Sequence, residues 1–168
     1  MRLPLTAISA ALLLSACASA PKPTIAESSP AMPQSTVAAA APVETDAQKI
    51  EKLSQTLSKQ SVYFDYDNFS VKSQYQPLLQ QDASAIKAAP QVAITVEGNA
   101  DERGSTEYNL ALGQKRAEAV KQSLKLLGVP ENELEAISYG EEKPRATCHE
   151  EKCWSENRRV DFSMKKMP

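Results

Sequence analysis

An aspartate, an asparagine and an arginine fall where a loop runs into a helix. Asp101 lies in the stretch Gly98-Asn99-Ala100-Asp101-Glu102-Arg103-Gly104, just past an alternating apolar run, and Asn109 and Arg116 follow it. Seven residues, two helical turns, separate Asn109 from Arg116. In a helix they therefore share a face, about 10.5 Å apart along the axis. Gly113 lies between them on that face. A mid-helix glycine costs about 1 kcal/mol relative to alanine, so a close approach by a ligand or a neighbour explains its presence. An acceptor-only carboxylate and a rigid guanidinium fork, held apart by a groove, suit a zwitterionic group with an ammonium on one side and a carboxylate on the other. Two more polar segments, Phe64-Asp65-Tyr66-Asp67 and Asn157-Arg158-Arg159, also fall at the ends of expected elements. Taken singly, each has a plainer reading. Asp101 and Arg116 would pair with each other or with neighbours, and exposed pairs contribute little. Asp65 and Asp67 are turn formers, and Asn157–Arg159 reads as a solvated strand edge.

The elements that must position these groups follow from hydrophobic period. Ile50, Leu53 and Leu57 recur at helical spacing between Asp46 and Gln60, predicting a short amphipathic helix that packs on the domain. Val62-Tyr63-Phe64 reads as a strand entering a turn at Asp65–Asn68. A helix over Ser73–Ala88, with Tyr75, Leu78, Leu79, Ala83 and Ile86 on one side, is stopped by Pro90. Val92, Ile94 and Val96 form an alternating strand. The longest helix runs from about Glu107 to Leu127, with Leu110, Ala117, Val120, Leu124 and Leu127 inward, and Gly128 with Pro130 ends it. A short strand near Ala136–Tyr139 and a long loop lead to a last strand, Arg159–Met164, with Val160, Phe162 and Met164 facing one way. Strands alternating with helices predict a two-layer α/β sandwich of βαβαβ type; sheet order does not follow from the sequence.

The 168-residue chain has room for one domain plus extensions, and its formal net charge of -2 offers no electrostatic footprint for nucleic acid. Arg2 followed by a mostly apolar run from Leu3 to Leu14 reads as an export signal, too short to span a bilayer. Leu14-Ser15-Ala16-Cys17 resembles the lipobox of bacterial lipoproteins. That resemblance implies removal of residues 1–16, fatty acylation of Cys17 (palmitate among the acyl chains) and, with Ala18 rather than Asp next, residence in the outer membrane with the domain facing the periplasm. From Ala18 to about Thr45 the chain is Ala, Pro, Ser and Thr with almost no large apolar residue, a composition that reads as a disordered tether. Fully stretched, residues 18–45 reach at most ~100 Å. The expected organisation is thus a signal over 1–16, lipidated Cys17 with tether and short helix over 17–60, and a folded domain over 61–168.

Four separated motifs now stand in order: Tyr63-Phe64-Asp65, Gly98 to Asn109, Ser138-Tyr139-Gly140-Glu141-Glu142-Lys143-Pro144, and Asn157-Arg158-Arg159. Together, from about Ser61 to Met164, they resemble the OmpA-like peptidoglycan-binding domain family, and the lipobox and tether agree with its lipoprotein branch. The resemblance implies a non-catalytic domain that binds the meso-diaminopimelate residue of the peptidoglycan stem peptide, tethering the outer membrane to the cell wall and supporting envelope integrity and division. It assigns Asp101 to the ligand's ammonium, Arg116 to its carboxylate and Asn109 to positioning. Phe64 and Asp65 wall the site, and Arg158 lines its far side; Arg159 belongs to the sheet if not to the site. Asn99 stands where the family usually has histidine, a loop-organising hydrogen bonder. No cofactor is implied. Some members of the branch also bind the propeller protein TolB within the Tol system, and the sequence does not separate them from members that lack that partner.

With Cys17 lipidated, Cys148 and Cys153 remain. An even count in an exported chain points to a disulfide that stiffens the stretch leading to Trp154 and Asn157. A metal site using both thiols and His149 lacks a fourth ligand in view. The alternative function is a peptidoglycan hydrolase using Asp101 with Glu102, or Asp65 with Asp67, as paired carboxylates. Adjacent loop residues seldom place carboxyls on opposite sides of one bond, and the sole histidine, His149, sits beside a cysteine expected to be oxidised.

Overall fold

The computed structural model describes residues 44–89 and 91–166. Residues 1–43, on which the expected export signal, the acylated Cys17 and most of the expected tether fall, lie outside the described residues, as do Pro90, Met167 and Pro168. Four strands, β1 (Ser61–Tyr63), β2 (Val92–Asn99), β3 (Leu134–Gly140) and β4 (Arg159–Lys166), form one sheet in the order β1-β4-β2-β3. β4 runs antiparallel to both β1 and β2, and β2 pairs in parallel with β3. Four helices complete the domain: α1 (Asp46–Leu57), α2 (Gln76–Ala88), α3 (Thr106–Leu126) and α4 (Glu151–Asn157). The chain is the expected two-layer α/β sandwich. α4, however, occupies part of what reads in sequence as a long loop.

Local sequence explains the elements. Thr45 caps α1 with a capping box: its hydroxyl accepts from the Gln48 amide, and the Gln48 side chain accepts from the Thr45 amide. Ser105 caps α3 by accepting from the Tyr108 amide at 3.2 Å. At the other end of α3 Gly128 takes φ +89°, the left-handed conformation that closes a helix. The alternation of β2 buries Val92, Ile94 and Val96 against the helices, where they meet Leu53 and Leu57 of α1, Leu79, Ala83 and Ile86 of α2, and Ala117, Val120 and Leu124 of α3. Val160 and Phe162 of β4 complete that core, and Met164 packs against it.

One expected core position is wrong. Leu110 is 50% exposed, and Leu112 is buried instead. The buried face of α3 runs Asn109, Leu112, Gly113, Arg116, Ala117, Val120, Leu124. Its N-terminal half is built from polar residues and a glycine, so apolar periodicity points there to the wrong stripe. A second buried polar group lies in α2. Asp82 is fully buried, and the Gln60 amide, turned nitrogen-first, donates to its two oxygens at 2.6 and 3.0 Å. Burial pushes the Asp82 carboxyl up to about 6.

Candidate functional site

The site forms where the loop after β2, the turn after β1 and the first half of α3 converge. Its geometry depends on how closely α3 lies on the sheet. A Cβ added to Gly113 would stand 2.3 Å from Ser138 Oγ and 2.9 Å from the Gly98 carbonyl oxygen. The mid-helix glycine therefore serves a neighbouring strand, not a ligand. It lets α3 settle against β2 and β3, which brings Asn109 and Arg116 down to the strand ends.

Arg116 is 0% exposed and holds three segments together. Its Nε donates to the Asn68 carbonyl at 2.8 Å, Nη1 to the Asn99 carbonyl at 2.9 Å, and Nη2 to the Asp65 carbonyl at 3.1 Å. The Phe64 ring lies beneath the guanidinium, 5.3 Å from its carbon to the ring centroid. Burial pulls the Arg116 pKa down to about 10, with the nearby Asp101 charge opposing, so the side chain remains a cation at neutral pH. Three of the five guanidinium N–H groups are engaged by these carbonyls.

Asp101 is 4% exposed and held by two arginines. Arg103 grips it from both ends, with Nε at 3.0 Å from Oδ1 and Nη2 at 2.7 Å from Oδ2, and the Arg103 backbone amide adds a bond at 3.1 Å. Arg158 Nη1 donates to Oδ2 at 3.2 Å. Burial pushes the Asp101 carboxyl up, but the bonds from Arg103 and Arg158 outweigh it and leave it below the usual carboxylate range. The Arg103 guanidinium is itself stacked between the Tyr66 and Trp154 rings, 4.1 Å from each centroid.

Asp101, Asn109 and Arg116 line one cleft, together with Tyr66, Asp67, Arg103, Tyr108 and Leu112. Phe64, Asp65 and Arg158 are not among the residues that line it. Phe64 is buried and accepts at its carbonyl from Arg158 Nε at 3.1 Å. Asp65 offers its carbonyl to Arg116, while its exposed carboxylate takes Lys72 at 2.6 Å. Arg158 links Phe64, Asp101 and Glu151. Asn109 Nδ2 donates to Glu141 at 2.5 Å. Asn99 is buried, and its amide nitrogen donates to the Glu97 carbonyl at 3.1 Å. Arg159 lies in β4, bonded to Asp161 at 2.8 Å.

The sequence reading missed Arg103, Tyr66, Tyr108, Trp154 and Glu141. Arg103, Tyr66, Tyr108 and Glu141 each lie inside a motif the sequence had singled out, so membership of the motif was their signal; Trp154 is joined to the site only by folding. Cys148 and Cys153 form a disulfide with 5.5 Å between Cα atoms. Among the described residues, no group of three or more His, Cys, Asp or Glu is arranged to hold a metal, and no helix is long and apolar enough to cross a membrane.

Fold and cleft together define a small α/β binding domain with opposite buried charges sharing one narrow groove. The chain belongs to the OmpA family, whose sequence profile matches residues 63–158. It is 50% identical over 99 residues to a peptidoglycan-associated lipoprotein of Agrobacterium fabrum, which is 59% of this chain and 56% of that one. It is 46% identical over 100 residues to one from Pasteurella multocida, covering 60% of this chain and 67% of that one. The chain thus spans little more than half the length of the Agrobacterium relative. The crystal structure of the peptidoglycan-associated lipoprotein from Burkholderia pseudomallei superposes with a TM-score of 0.63 at 56% identity, covering 66% of this chain and 93% of that chain. The C-terminal domain of Helicobacter pylori MotB shares the fold, with a TM-score of 0.60 at 23% identity over 64% of this chain and 84% of that one.

Proposed function

We propose that this domain binds peptidoglycan without cutting it, by taking the zwitterionic end of a meso-diaminopimelate stem residue into the Asp101–Arg116 cleft. The observation that carries the reading is the placement of one buried carboxylate and one buried guanidinium on the same small cavity. The relatives' names, which pair peptidoglycan with lipoprotein, support the ligand class. The ligand's carboxylate takes the Arg116 N–H groups that the three carbonyls leave over. Its ammonium meets the Asp101 carboxylate, which Arg103 and Arg158 hold in place. Binding then uses a preformed carboxylate whose position the two arginines set.

The same reading extends to the rest of the chain. Residues 1–16 direct export, acylated Cys17 anchors the protein in the outer membrane, and the tether spans to the wall, with the domain over 61–168 in the periplasm. Tol-system partners such as TolB, and a role in division, belong to this proposal and stand on family resemblance alone. Hydrolysis is disfavoured by the carboxyls themselves. A general acid needs a raised pKa, whereas Asp101 is held low by its arginines. Glu102 is likewise held low, by Trp154 and His149.

Co-sedimentation of the full chain with purified sacculi tests the reading. Wild type pellets and is released by a soluble muropeptide carrying diaminopimelate, while Asp101→Asn stays in the supernatant. Equal pelleting of the two proteins, or release of soluble muropeptides by pure protein, would overturn it.

A further inference from the structure

We propose that the Cys148–Cys153 bridge is a positioning device for the ligand loop, so that reducing it weakens binding while the domain stays folded. This rests on the peptidoglycan reading only for its binding readout. The bridge closes a ring with a sequence separation of five, joining the residue at the third position of α4 to the segment that enters it. A helix of this length does not hold itself in water. The ring and its immediate successor carry three side chains that reach the 101–103 loop or its supports. His149 Nδ1 lies 2.7 and 2.8 Å from the two Glu102 carboxylate oxygens. Trp154 Nε1 donates to Glu102 Oε1 at 2.8 Å, and the Trp154 ring supports Arg103 at 4.1 Å. Glu151 accepts from Arg158, which in turn donates to Asp101, and Glu151 also lies 3.6 Å from Arg103.

Every residue of the loop is thus held from the disulfide ring: Asp101 through Arg158, Glu102 by His149 and Trp154, Arg103 by Trp154 and Glu151. Several of these contacts are exposed, and singly each is worth little. His149, for example, has 79% side-chain exposure and Glu102 42%. Their joint effect depends on the ring presenting all three partners at once, which the covalent bridge secures. Cys153 is buried, but no residue of the ring belongs to the apolar cluster between the sheet and the helices. Opening the bridge therefore frees the loop's supports and leaves the sheet and α3 in place. A dithiol does this by thiolate attack on one sulfur. The S–S bond breaks, two electrons and two protons pass to the cysteines, and the reductant closes to its own cyclic disulfide.

The test compares oxidised wild type, dithiothreitol-reduced wild type and C148S/C153S, all as full chain, by hydrogen exchange and by sedimentation with sacculi. Exchange needs no ligand. The Arg103 amide, which donates to Asp101, exchanges faster once the bridge is open, while amides of β2 and β4 keep their protection. Sedimentation weakens about tenfold, the ordering cost of one or two interface side chains. Trp154→Phe, which keeps the bridge but loses the bond to Glu102, falls between. Unchanged exchange at Arg103, or unchanged binding by C148S/C153S, overturns the inference. Loss of cooperative unfolding in C148S/C153S also overturns it, because the bridge would then be stapling the whole domain. Failure of oxidised wild type to pellet refutes the peptidoglycan reading instead, and exchange alone then decides this one.

Discussion

Gly98 and Gly113 stand backbone to backbone: a Cβ on Gly98 would lie 1.9 Å from the Gly113 carbonyl oxygen. No side chain fits between β2 and α3 at this level. The contact sets the height of the whole site, because Asn99 and Asp101 follow Gly98 while Asn109 and Arg116 flank Gly113. Gly113→Ala gains about 1 kcal/mol of helix propensity. It loses more, about 1–3 kcal/mol, to overpacking against Ser138 and the Gly98 carbonyl. A lower thermal midpoint and weaker sedimentation with sacculi are expected together; a raised midpoint would show that the helix has room to spare.

Arg116 is a structural cation as well as the proposed ligand group. Replacing it with alanine leaves the carbonyls of Asp65, Asn68 and Asn99 without their donor and empties a fully buried site. A loss of about 3–5 kcal/mol follows, of the size seen when one partner leaves a buried charged network. Arg116→Ala therefore tests folding as well as binding. Arg116→Lys keeps the charge but cannot span three acceptors, so it should unfold in urea between wild type and the alanine variant.

Asp101→Asn separates binding from folding better. The amide is close in shape, yet it removes the charge that Arg103 and Arg158 share. We expect binding to sacculi to fall by more than tenfold, with stability lowered by about 1–3 kcal/mol. The folded-state pKa of Asp101 lies below its ordinary value of 3.8. Its contribution to stability is therefore complete above that value and is lost as pH falls through the folded-state pKa. Urea titrations of wild type and Asp101→Asn should differ by a constant amount above pH 3.8 and converge as pH falls through the folded-state pKa.

Asp82 has the opposite sign. Its pKa is raised to about 6 in the folded domain from 3.8, so the folded state holds its proton more tightly. The stability this supplies is fully present below pH 3.8 and is lost as pH rises through about 6. Asp82→Asn should be the more stable protein at pH 7, by up to ~3 kcal/mol, with the advantage gone at pH 4. Urea midpoints of both proteins across that range check it, and parallel curves would contradict it.

The sequence by itself determined much of this protein. Alternation at Val92, Ile94 and Val96 required a half-buried strand, and the spacing of Ala117, Val120 and Leu124 required a helix against it. Asn109 and Arg116 had to share a face because a helix repeats every 3.6 residues, and the order of four motifs carried the family. Sheet order was out of reach, because strand pairing joins segments far apart in sequence. The buried polar stripe of α3 was misread at Leu110 because local period cannot tell which face a neighbouring strand will cover. Only the tertiary structure decided that Gly113 meets a strand, that Arg103 pairs with Asp101, and that His149 and Trp154, some fifty residues downstream, reach Glu102. The physical reason is the same in each case: these side chains find partners by close packing of distant segments, and no one-dimensional pattern encodes a distance across a fold.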